Sequence, residues 1–322
     1  MAKITKVSET DLKKRILAVE ADRLKNPLKL RPDRAARSKL EKSHAAAGKI
    51  MGRWMTGAGF DIDKLRNIHE AREAELKRLV EAHKRDALRQ AAKLRNKLHP
   101  GVAGQVKAFS NLAKKRDFFP HPTFTLDTPF LIWSNPQLDL DSQAAPFDSW
   151  ARFKYTTSQY QGTQKVSFYF YWASPFNDFA VINATTFMSA LGHLKAHAPW
   201  TFGVNTSKVD AYARFGLWLG VPREVNPVGY EEQWLAGTRA LGSTTTGGDT
   251  NSTSVSEGLQ LSKTMFAVPP HTVVVFEVAL AMSFENDDGD IEADFQSGSF
   301  RIACPLVVFS LLNSPPGIVI SP

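Results

Sequence analysis

The chain has 322 residues and a formal net charge of +8, and this length favours about two domains. The charge is unevenly divided, because residues 1–120 hold 30 basic and 14 acidic side chains whereas residues 121–322 hold 10 basic and 18 acidic ones. The single cysteine, Cys304, excludes a disulfide within the chain and a cysteine-based zinc or iron–sulfur site. It lies in an apolar segment typical of a buried strand, so we expect an unreactive thiol.

The first residues of the chain contain no apolar segment of the kind found in a cleaved signal peptide. The most apolar stretch, Thr272–Phe284, contains Glu277 and is too short to cross a bilayer as a helix, which takes about 20 apolar residues. We therefore expect a soluble protein, and its cellular location stays open.

Basic helices are predicted at the start of the chain. The first lies within residues 1–30, with capping groups from Ser8 onwards and an end at Asn26-Pro27, because the residue before proline avoids the α conformation. Its apolar stripe comprises Leu12, Ile16, Val19 and Leu24. A second helix is predicted from Asp33 to Met51, followed by a glycine-rich joint.

A long helix is predicted from Asp61 to Lys97, because Asp61 can cap it and no glycine or proline interrupts it. We expect it to pack against the other N-terminal helices. Its predicted stripe comprises Leu65, Ile68, Leu76, Leu79, Ala87, Leu94 and Leu98, interrupted by Arg72 and His83. A short helix is predicted from Gly104 to Lys115.

Near Phe118 the pattern changes to the two-residue period of β-strands. The predicted strands are Thr123–Trp133, Trp150–Thr157, Lys165–Ala173, Val209–Leu219, Gly258–Phe266, His271–Phe284, Ile291–Phe295 and Phe300–Leu312. Two segments depart from the pattern. Asn183–His197 is interpreted as a helix inserted between strands, and Leu241–Ser256 as a long Ser/Thr/Gly loop.

None of the usual catalytic motifs of hydrolases, P-loop enzymes, zinc proteases or dinucleotide-binding enzymes is present in full. His193 and His197 would share one face of a helix, but no third metal ligand follows nearby, so we expect one ring to pack beside Trp200 and the other to be solvated. We therefore expect a protein without catalytic activity and without a cofactor, apart from calcium.

Calcium is suggested by an acidic run after an Asp287-Asp288-Gly289 turn, because carboxylate oxygens are the ligands that this ion takes. The predicted calcium ligands are Asp287, Asp288, Asp290, Glu292 and Asp294. The spacing does not match a helix–loop–helix calcium loop, and two other interpretations stay open: a solvated acidic strand face and a pair of glycosidase carboxylates.

Aromatic side chains are dense in the second part of the chain. Phe168, Phe170 and Trp172 should share one face of a strand, with Tyr169 and Tyr171 on the other, so this strand should be covered on both sides. Aromatic rings beside polar groups suit sugars and peptides. The predicted ligand-binding residues are Tyr169, Tyr171, Trp150 and Trp218.

The basic helices could bind a polyanion through charge alone. The predicted polyanion-binding residues are Lys13, Lys14, Arg15, Arg31, Arg34, Arg37, Lys84, Arg85, Arg89, Lys93, Lys114, Lys115 and Arg116. Nucleic acid, an anionic membrane surface and an acidic protein surface all remain open as partners.

The predicted fold class is α+β in two segments: a basic helical module over residues 1–117 and an antiparallel β-sandwich or jelly-roll-like domain over residues 118–322. The favoured function is a non-enzymatic assembly and recognition protein, a homo-oligomer whose sandwich binds a glycan or protein and which could be toxin-like or part of a particle. One alternative is a coat-like protein that binds nucleic acid through its N-terminal segment. The other is a polysaccharide-active enzyme that uses the acidic strand 287–294.

Overall fold

The fold is taken from a computed structural model. It describes residues 8–25, 46, 49–93, 104, 106–107, 122–136, 138–201, 204–221, 230–243 and 247–312. The predicted helix from Asp33 to Met51 falls almost wholly outside these residues, and so does most of the predicted helix from Gly104 to Lys115.

Helices form the first part of the described chain. They are α1 (Glu9–Lys25), α2 (residues 49–57) and α3 (Ile62–Lys93). The Ser8 hydroxyl accepts a hydrogen bond from the Asp11 amide at 3.1 Å, and an Asp61 carboxylate oxygen accepts one from the Lys64 amide at 2.9 Å. Both predicted N-caps are thereby confirmed.

Strands form the second part. They are β1 (Thr123–Leu126), β2 (Leu131–Ser134), β3 (Asp141–Gln143), β4 (Trp150–Arg152), β5 (Lys154–Thr157), β6 (Gln161–Ala173), β7 (Ala180–Ala198), β8 (Val204–Leu219), β9 (Tyr230–Ser243), β10 (Asp249–Val268), β11 (Val273–Asn286), β12 (Asp290–Asp294) and β13 (Arg301–Leu311).

The strands make two antiparallel sheets. Sheet A has the order β3-β4-β13-β7-β12-β5, with β1 also paired to β13 and β10 to β7. Sheet B has the order β2-β6-β11-β8-β9, which puts β11 in the middle. The predicted antiparallel β-sandwich after an N-terminal helical segment is confirmed.

The inner faces of the two sheets meet in one large apolar core. Phe153, which lies between β4 and β5, stacks on Phe295 with ring centroids 5.2 Å apart. Phe276 of sheet B stacks on Phe309 of sheet A with ring centroids 5.4 Å apart. Cys304 lies in the same core, where burial raises the pKa of its thiol to about 12. This value agrees with the predicted unreactive thiol.

Helix α1 covers the outer face of sheet B. Leu12 and Ile16 are buried there against Tyr169 and Val275. The predicted stripe is correct for these two residues, but Leu24 is exposed, and the buried position on the next turn is Glu20.

Helix α3 covers part of the outer face of sheet A, and within the described residues it packs mainly on β10 and β7 rather than on other helices as predicted. Its buried Ala87 and Ala91 contact Leu191 of β7 and Phe300. Among the stripe residues that the structure describes, the prediction is wrong at Ile68 and Leu79, which are exposed. Leu94 and Leu98 lie outside the described residues. The face that meets the sheet instead includes polar side chains, which an apolar pattern does not detect.

Three further sequence predictions need correction. Thr123–Trp133 is not one strand, because the turn around Pro129 separates β1 in sheet A from β2 in sheet B. Trp150–Thr157 is likewise divided into β4 and β5. The predicted loop Leu241–Ser256 contains the end of β9 and the first part of β10, since its threonine-rich sequence suits a pleated surface as well as a loop.

The predicted helix Asn183–His197 is wrong in type, because these residues belong to β7. β7 pairs with β10 along most of its length and is buried on both faces, and pairing of this extent overrides the helix preference of its Ala and Leu residues. Gly192 is required within it: an added Cβ would lie 2.5 Å from the Phe295 ring.

Within the described residues, no helix is both long and apolar enough to cross a membrane.

Replacement of Ile16 by alanine tests the docking of α1. We expect Ile16→Ala to lower the free energy of unfolding by about 2–5 kcal/mol, because it leaves a cavity between α1 and sheet B. Leu17→Ala, at the exposed neighbouring position, should change it by less than about 0.5 kcal/mol. Urea unfolding measures both, and equal losses would show that α1 does not pack as described.

Candidate functional site

An open cleft lies where the start of α1 meets the turn between β1 and β2. Its volume is about 530 Å³, which falls within the range of small-ligand sites. The side chains that could contact a ligand there are Glu9, Lys13, Asp127, Thr128, Phe130 and Tyr171.

The elements around the cleft explain why these side chains converge. Tyr171 is on β6 and points to the outer face of sheet B, because inward positions alternate with outward ones along the strand. Phe130 meets it edge to face, with ring centroids 5.0 Å apart. Glu9 and Lys13 face the cleft from the first turns of α1, and they form an ion pair of 2.8 Å.

The polar side of the cleft presents carboxylate and hydroxyl oxygen atoms as well as Lys13. Asp127 follows β1, and one of its carboxylate oxygens accepts a hydrogen bond of 2.8 Å from the Thr128 hydroxyl. Carboxylate oxygens accept hydrogen bonds and the hydroxyl both donates and accepts, so the cleft can satisfy a ligand rich in hydroxyl groups. The aromatic rings of Phe130 and Tyr171 offer apolar surface beside these groups.

Beneath α1, next to this cleft, lies a buried polar network centred on Glu277 of β11. One carboxylate oxygen accepts hydrogen bonds from Lys165 at 2.7 Å and from Ser167 at 2.9 Å, and the Tyr169 hydroxyl oxygen lies 3.1 Å from it. The other accepts one from the Tyr230 hydroxyl at 2.9 Å. Burial would raise the pKa of Glu277, but Lys165 and these hydrogen bonds lower it to about 2, so the carboxylate is charged.

Helix α1 contributes the remaining members of this network. The Glu20 carboxylate accepts hydrogen bonds from Tyr169 at 2.6 Å and Lys165 at 2.9 Å, and it pairs with Arg23 at 2.6 Å. Two carboxylates therefore face two cations, and the charges balance. Burial and the neighbouring carboxylates raise the pKa of Tyr169 well above its usual value, so its hydroxyl keeps its proton and donates.

Loss of Glu277 leaves two cations facing one carboxylate, an excess of buried positive charge. We expect Glu277→Ala to cost about 3–5 kcal/mol of unfolding free energy, because Lys165 would stay buried beside a single carboxylate. Glu232→Ala, on the exposed edge strand β9, is the matched control and should cost about 0–1 kcal/mol. Chemical denaturation measures the free energy of unfolding of both variants. Equal costs for Glu277→Ala and Glu232→Ala would show that Glu277 is not a buried charge.

A second polar cluster lies between α3 and sheet A. The Lys84 ammonium is 2.6 Å from Glu292 and 2.6 Å from Asp294, and Asp294 is fully buried. Burial would raise the pKa of Asp294, but Lys84 and the hydrogen bonds from Ser297 and Gln296 lower it to about 2. Lys84 thus holds α3 on the sheet through a shielded ion pair.

His193 lies beside this cluster on the outer face of β7. Its ring is fully buried, 5.7 Å from the His83 ring, and within the described residues neither of its nitrogens forms a hydrogen bond. Burial, with Lys84 and His83 nearby, lowers the pKa of His193 to about 4. The imidazole is therefore neutral at neutral pH.

This histidine predicts a specific loss of stability with acid. The folded pKa is below the unfolded value of about 6.5, so the unfolded chain binds the extra proton first and stability falls as pH drops from about 6.5 towards 4. The full effect is at most about 3 kcal/mol. We expect His193→Leu to flatten the dependence of the unfolding free energy on pH between pH 6.5 and about 5, a window in which Asp294 and Glu277 are charged in both the folded and the unfolded chain.

Urea unfolding at several pH values in this window measures the effect. His271→Asn, at an exposed position, is the control and should keep the slope of the unaltered chain. If the unfolding free energy of His193→Leu falls with pH as steeply as that of the unaltered chain, His193 is not the cause of the loss.

The structure places three of the four predicted ligand-binding aromatics in one cluster on the outer face of sheet B, and the fourth in sheet A. Tyr171 lines the cleft. Tyr169 is fully buried under α1, and its hydroxyl donates a hydrogen bond to Glu20. Trp218 is partly buried beside Tyr230, with ring centroids 5.3 Å apart. Trp150 is partly buried in β4 of sheet A, away from the other three. Ligand binding by these residues stays a prediction, and Tyr171 is the one among them that lines the cleft described above.

The predicted calcium ligands do lie along one strand and its turn. Asp290, Glu292 and Asp294 point to the outer face of sheet A, because Ile291 and Ala293 point into the core. Within the described residues no group of three acidic, histidine or cysteine side chains is arranged to hold a metal ion. Calcium binding stays a prediction, and Lys84 already supplies a cation to Glu292 and Asp294.

The other acidic and histidine positions have local roles. The amide of Thr206 donates a hydrogen bond of 3.1 Å to Asp287 at the turn before β12, and Asp288 lies in that turn.

The expectation for the histidine pair is wrong: His193 and His197 are both buried on a strand, and His69, not either of them, stacks on Trp200 at 5.7 Å.

The predicted polyanion-binding residues are divided by their surroundings. Lys84 is engaged with two carboxylates, and Lys13 pairs with Glu9. The exposed members among the described residues are Lys14, Arg15, Arg85, Arg89 and Lys93. Those outside the described residues are Arg31, Arg34, Arg37, Lys114, Lys115 and Arg116. Polyanion binding by this set stays a prediction.

Sequence reasoning missed the Glu277 network, although one sign of it was visible. Glu277 is the only charged residue in the apolar stretch Thr272–Phe284, and a lone charge in a buried strand needs a partner. The partners Glu20 and Lys165 are distant in sequence, so spacing alone could not identify them.

No family model and no curated protein matches the chain. Solved structures with some similarity include a carbohydrate-binding module from Clostridium stercorarium in complex with cellobiose, at 13% identity and TM-score 0.18 over 60% of this chain and 95% of that chain. A second is a carbohydrate-binding module in complex with β-1,4-galactotriose, at 9% identity and TM-score 0.19 over 61% and 92%. TM-scores this low do not assign a function to this chain.

Proposed function

We propose that this chain is a non-enzymatic glycan-binding protein and that the glycan binds in the cleft between α1 and the β1–β2 turn. The observation that carries the proposal is the composition of the open cleft, in which Tyr171 and Phe130 offer ring surface beside Asp127 and Thr128. A sugar presents apolar C–H faces and a rim of hydroxyl groups, and this combination of groups complements both.

The part of the outer face of sheet B around Tyr169 and Tyr230 is a less favourable glycan site. Its Tyr169 and Tyr230 hydroxyls already donate to carboxylates, and α1 packs directly over Tyr169. A glycan there would have to displace Leu12 and Ile16 and would uncover the charge of Glu277. The cleft beside α1 needs no such rearrangement.

A hydrolytic role for the acidic strand is less favourable for a similar reason. Glycosidases use two carboxyl groups that reach the substrate. Asp294 is fully buried under Lys84, and Glu292 is bound to the same ammonium. We therefore expect no reducing ends to form when the protein is incubated with polysaccharides.

The proposal is tested with a glycan array on the full chain, followed by titration calorimetry on the glycans bound. Cellobiose and β-1,4-galactotriose serve as initial probes. We expect Tyr171→Ala and Asp127→Asn each to weaken binding by about tenfold or more, since each removes one direct contact of about 1.4 kcal/mol or more. Trp234→Ala, an exposed aromatic residue on β9, should bind as the unaltered chain does.

Two results would overturn this function. One is an array on which no glycan binds, and the other is binding that neither cleft substitution weakens. The assembly, particle and nucleic-acid hypotheses are independent of the cleft. Light scattering and the ratio of absorbance at 260 and 280 nm test them on the same purified protein.

A further inference from the structure

The end of α2 and its turn into α3 carry apolar side chains that nothing in the described chain covers. Ile50 is 68% exposed, Trp54 67% and Phe60 52%, and Met51 is also exposed. We call these four residues the apolar tip. Of the neighbouring residues 49–61, only Gly52 and Met55 are partly buried.

The apolar tip has a fixed backbone. Gly59 has a φ of +85° and ends α2: its amide donates to the Thr56 carbonyl at 3.0 Å, while the Phe60 amide donates to the Met55 carbonyl at 3.0 Å. This pair of hydrogen bonds is the Schellman arrangement of a helix end. Asp61 then caps α3 immediately. The exposed side chains are therefore presented by regular structure.

The charged side chains on the described part of α2 are basic. Lys49 and Arg53 lie on α2 beside Ile50 and Trp54, and residues 42–60 contain no acidic side chain. At about 100° per residue, Ile50, Met51 and Trp54 fall within roughly one quarter to one third of the helix circumference, and the two cations occupy an adjacent arc. The acidic side chains that follow are engaged, Asp61 in the cap and Asp63 with Arg66 at 3.5 Å.

We propose that the apolar tip is a docking surface for an anionic phospholipid bilayer. Trp54 and Phe60 suit the boundary between headgroups and acyl chains, where an aromatic ring can be partly buried. Lys49 and Arg53 would lie at the level of the phosphates, and each basic residue near an anionic surface adds about 1 kcal/mol. The helices need not cross the membrane, since only the tip enters the interface.

Two other occupants fit these observations less well. In a symmetric dimer through the tip, Lys49 and Arg53 of both copies would come together, with no acidic residue between positions 42 and 60 to pair with them. Nucleic acid would neutralise the cations but leave Ile50, Met51 and Phe60 in water. A bilayer with anionic headgroups meets both the charge and the apolar surface.

Vesicle flotation of the full chain tests this inference, with phosphatidylcholine vesicles that contain phosphatidylglycerol or lack it. We expect binding only to the anionic vesicles. Trp54→Ser should lower the partition coefficient by about tenfold or more, through loss of buried ring surface. Arg53→Glu should lower it by about fivefold or more, through loss of one cation near the phosphates.

Matched controls separate the tip from the rest of the surface. Trp234→Ser and Arg239→Glu change exposed residues of the same types on β9 and should bind vesicles as the unaltered chain does. Circular dichroism checks that each variant is folded, and exposed positions should keep the fold. Failure of the unaltered chain to float, or equal losses in the tip and control variants, would overturn the inference. Concentration-dependent dimerisation that Trp54→Ser abolishes, without vesicle binding, would assign the tip to a second copy instead.

Discussion

A full negative charge lies in the middle of sheet B, and the arrangement of the first helix depends on it. Glu277 is on the central strand, its carboxylate is inaccessible to solvent, and a pKa of about 2 keeps it ionised. Such a charge is tolerated only when cations and hydrogen-bond donors surround it. Lys165 supplies the cation from β6, and Glu20 and Arg23 of α1 complete a balanced set.

The same principle operates on the opposite side of the sandwich. There the helix supplies the cation, Lys84, and the sheet supplies two carboxylates, Glu292 and Asp294. Apolar contacts such as those of Ile16 and Ala87 bring each helix to its sheet, but they would tolerate several orientations. A buried ion pair tolerates far fewer, because a small shift leaves a charge without its partner. The polar contacts therefore define which part of each helix faces the sheet, and α1 in turn forms one wall of the cleft.

The sequence predicted what depends on local pattern. The alternation in β6 correctly assigned Phe168 and Phe170 to the core and Tyr169 to the opposite face, and the capping residues Ser8 and Asp61 are confirmed. The architecture of helices followed by a sandwich also followed from the change of period near residue 118.

What the sequence could not predict depends on contacts between distant segments. β7 was mistaken for a helix because its many Ala and Leu residues favour one in isolation, and its strand conformation comes from pairing with β10, β12 and β13. Of the cleft residues, Tyr171 was singled out as a ligand-binding aromatic and Lys13 as a polyanion contact. Asp127 and Glu9 were not, since the packing of α1 brings them together. The helix faces were misjudged at Leu24 and Ile68, because hydrophobicity does not reveal a buried ion pair.

The position of β7 has a consequence for how the chain acquires its structure. One edge of β7 pairs with β10, while the other is shared by β13, along its first half, and β12, near its end. During synthesis the chain makes β7 well before these partners, so a long, apolar strand edge stays open until β12 and β13 emerge from the ribosome. Non-local pairing of this kind is slow, and open strand edges promote aggregation. The interval between the synthesis of β7 and that of β13 is therefore the period in which this strand edge is open to pairing with other chains.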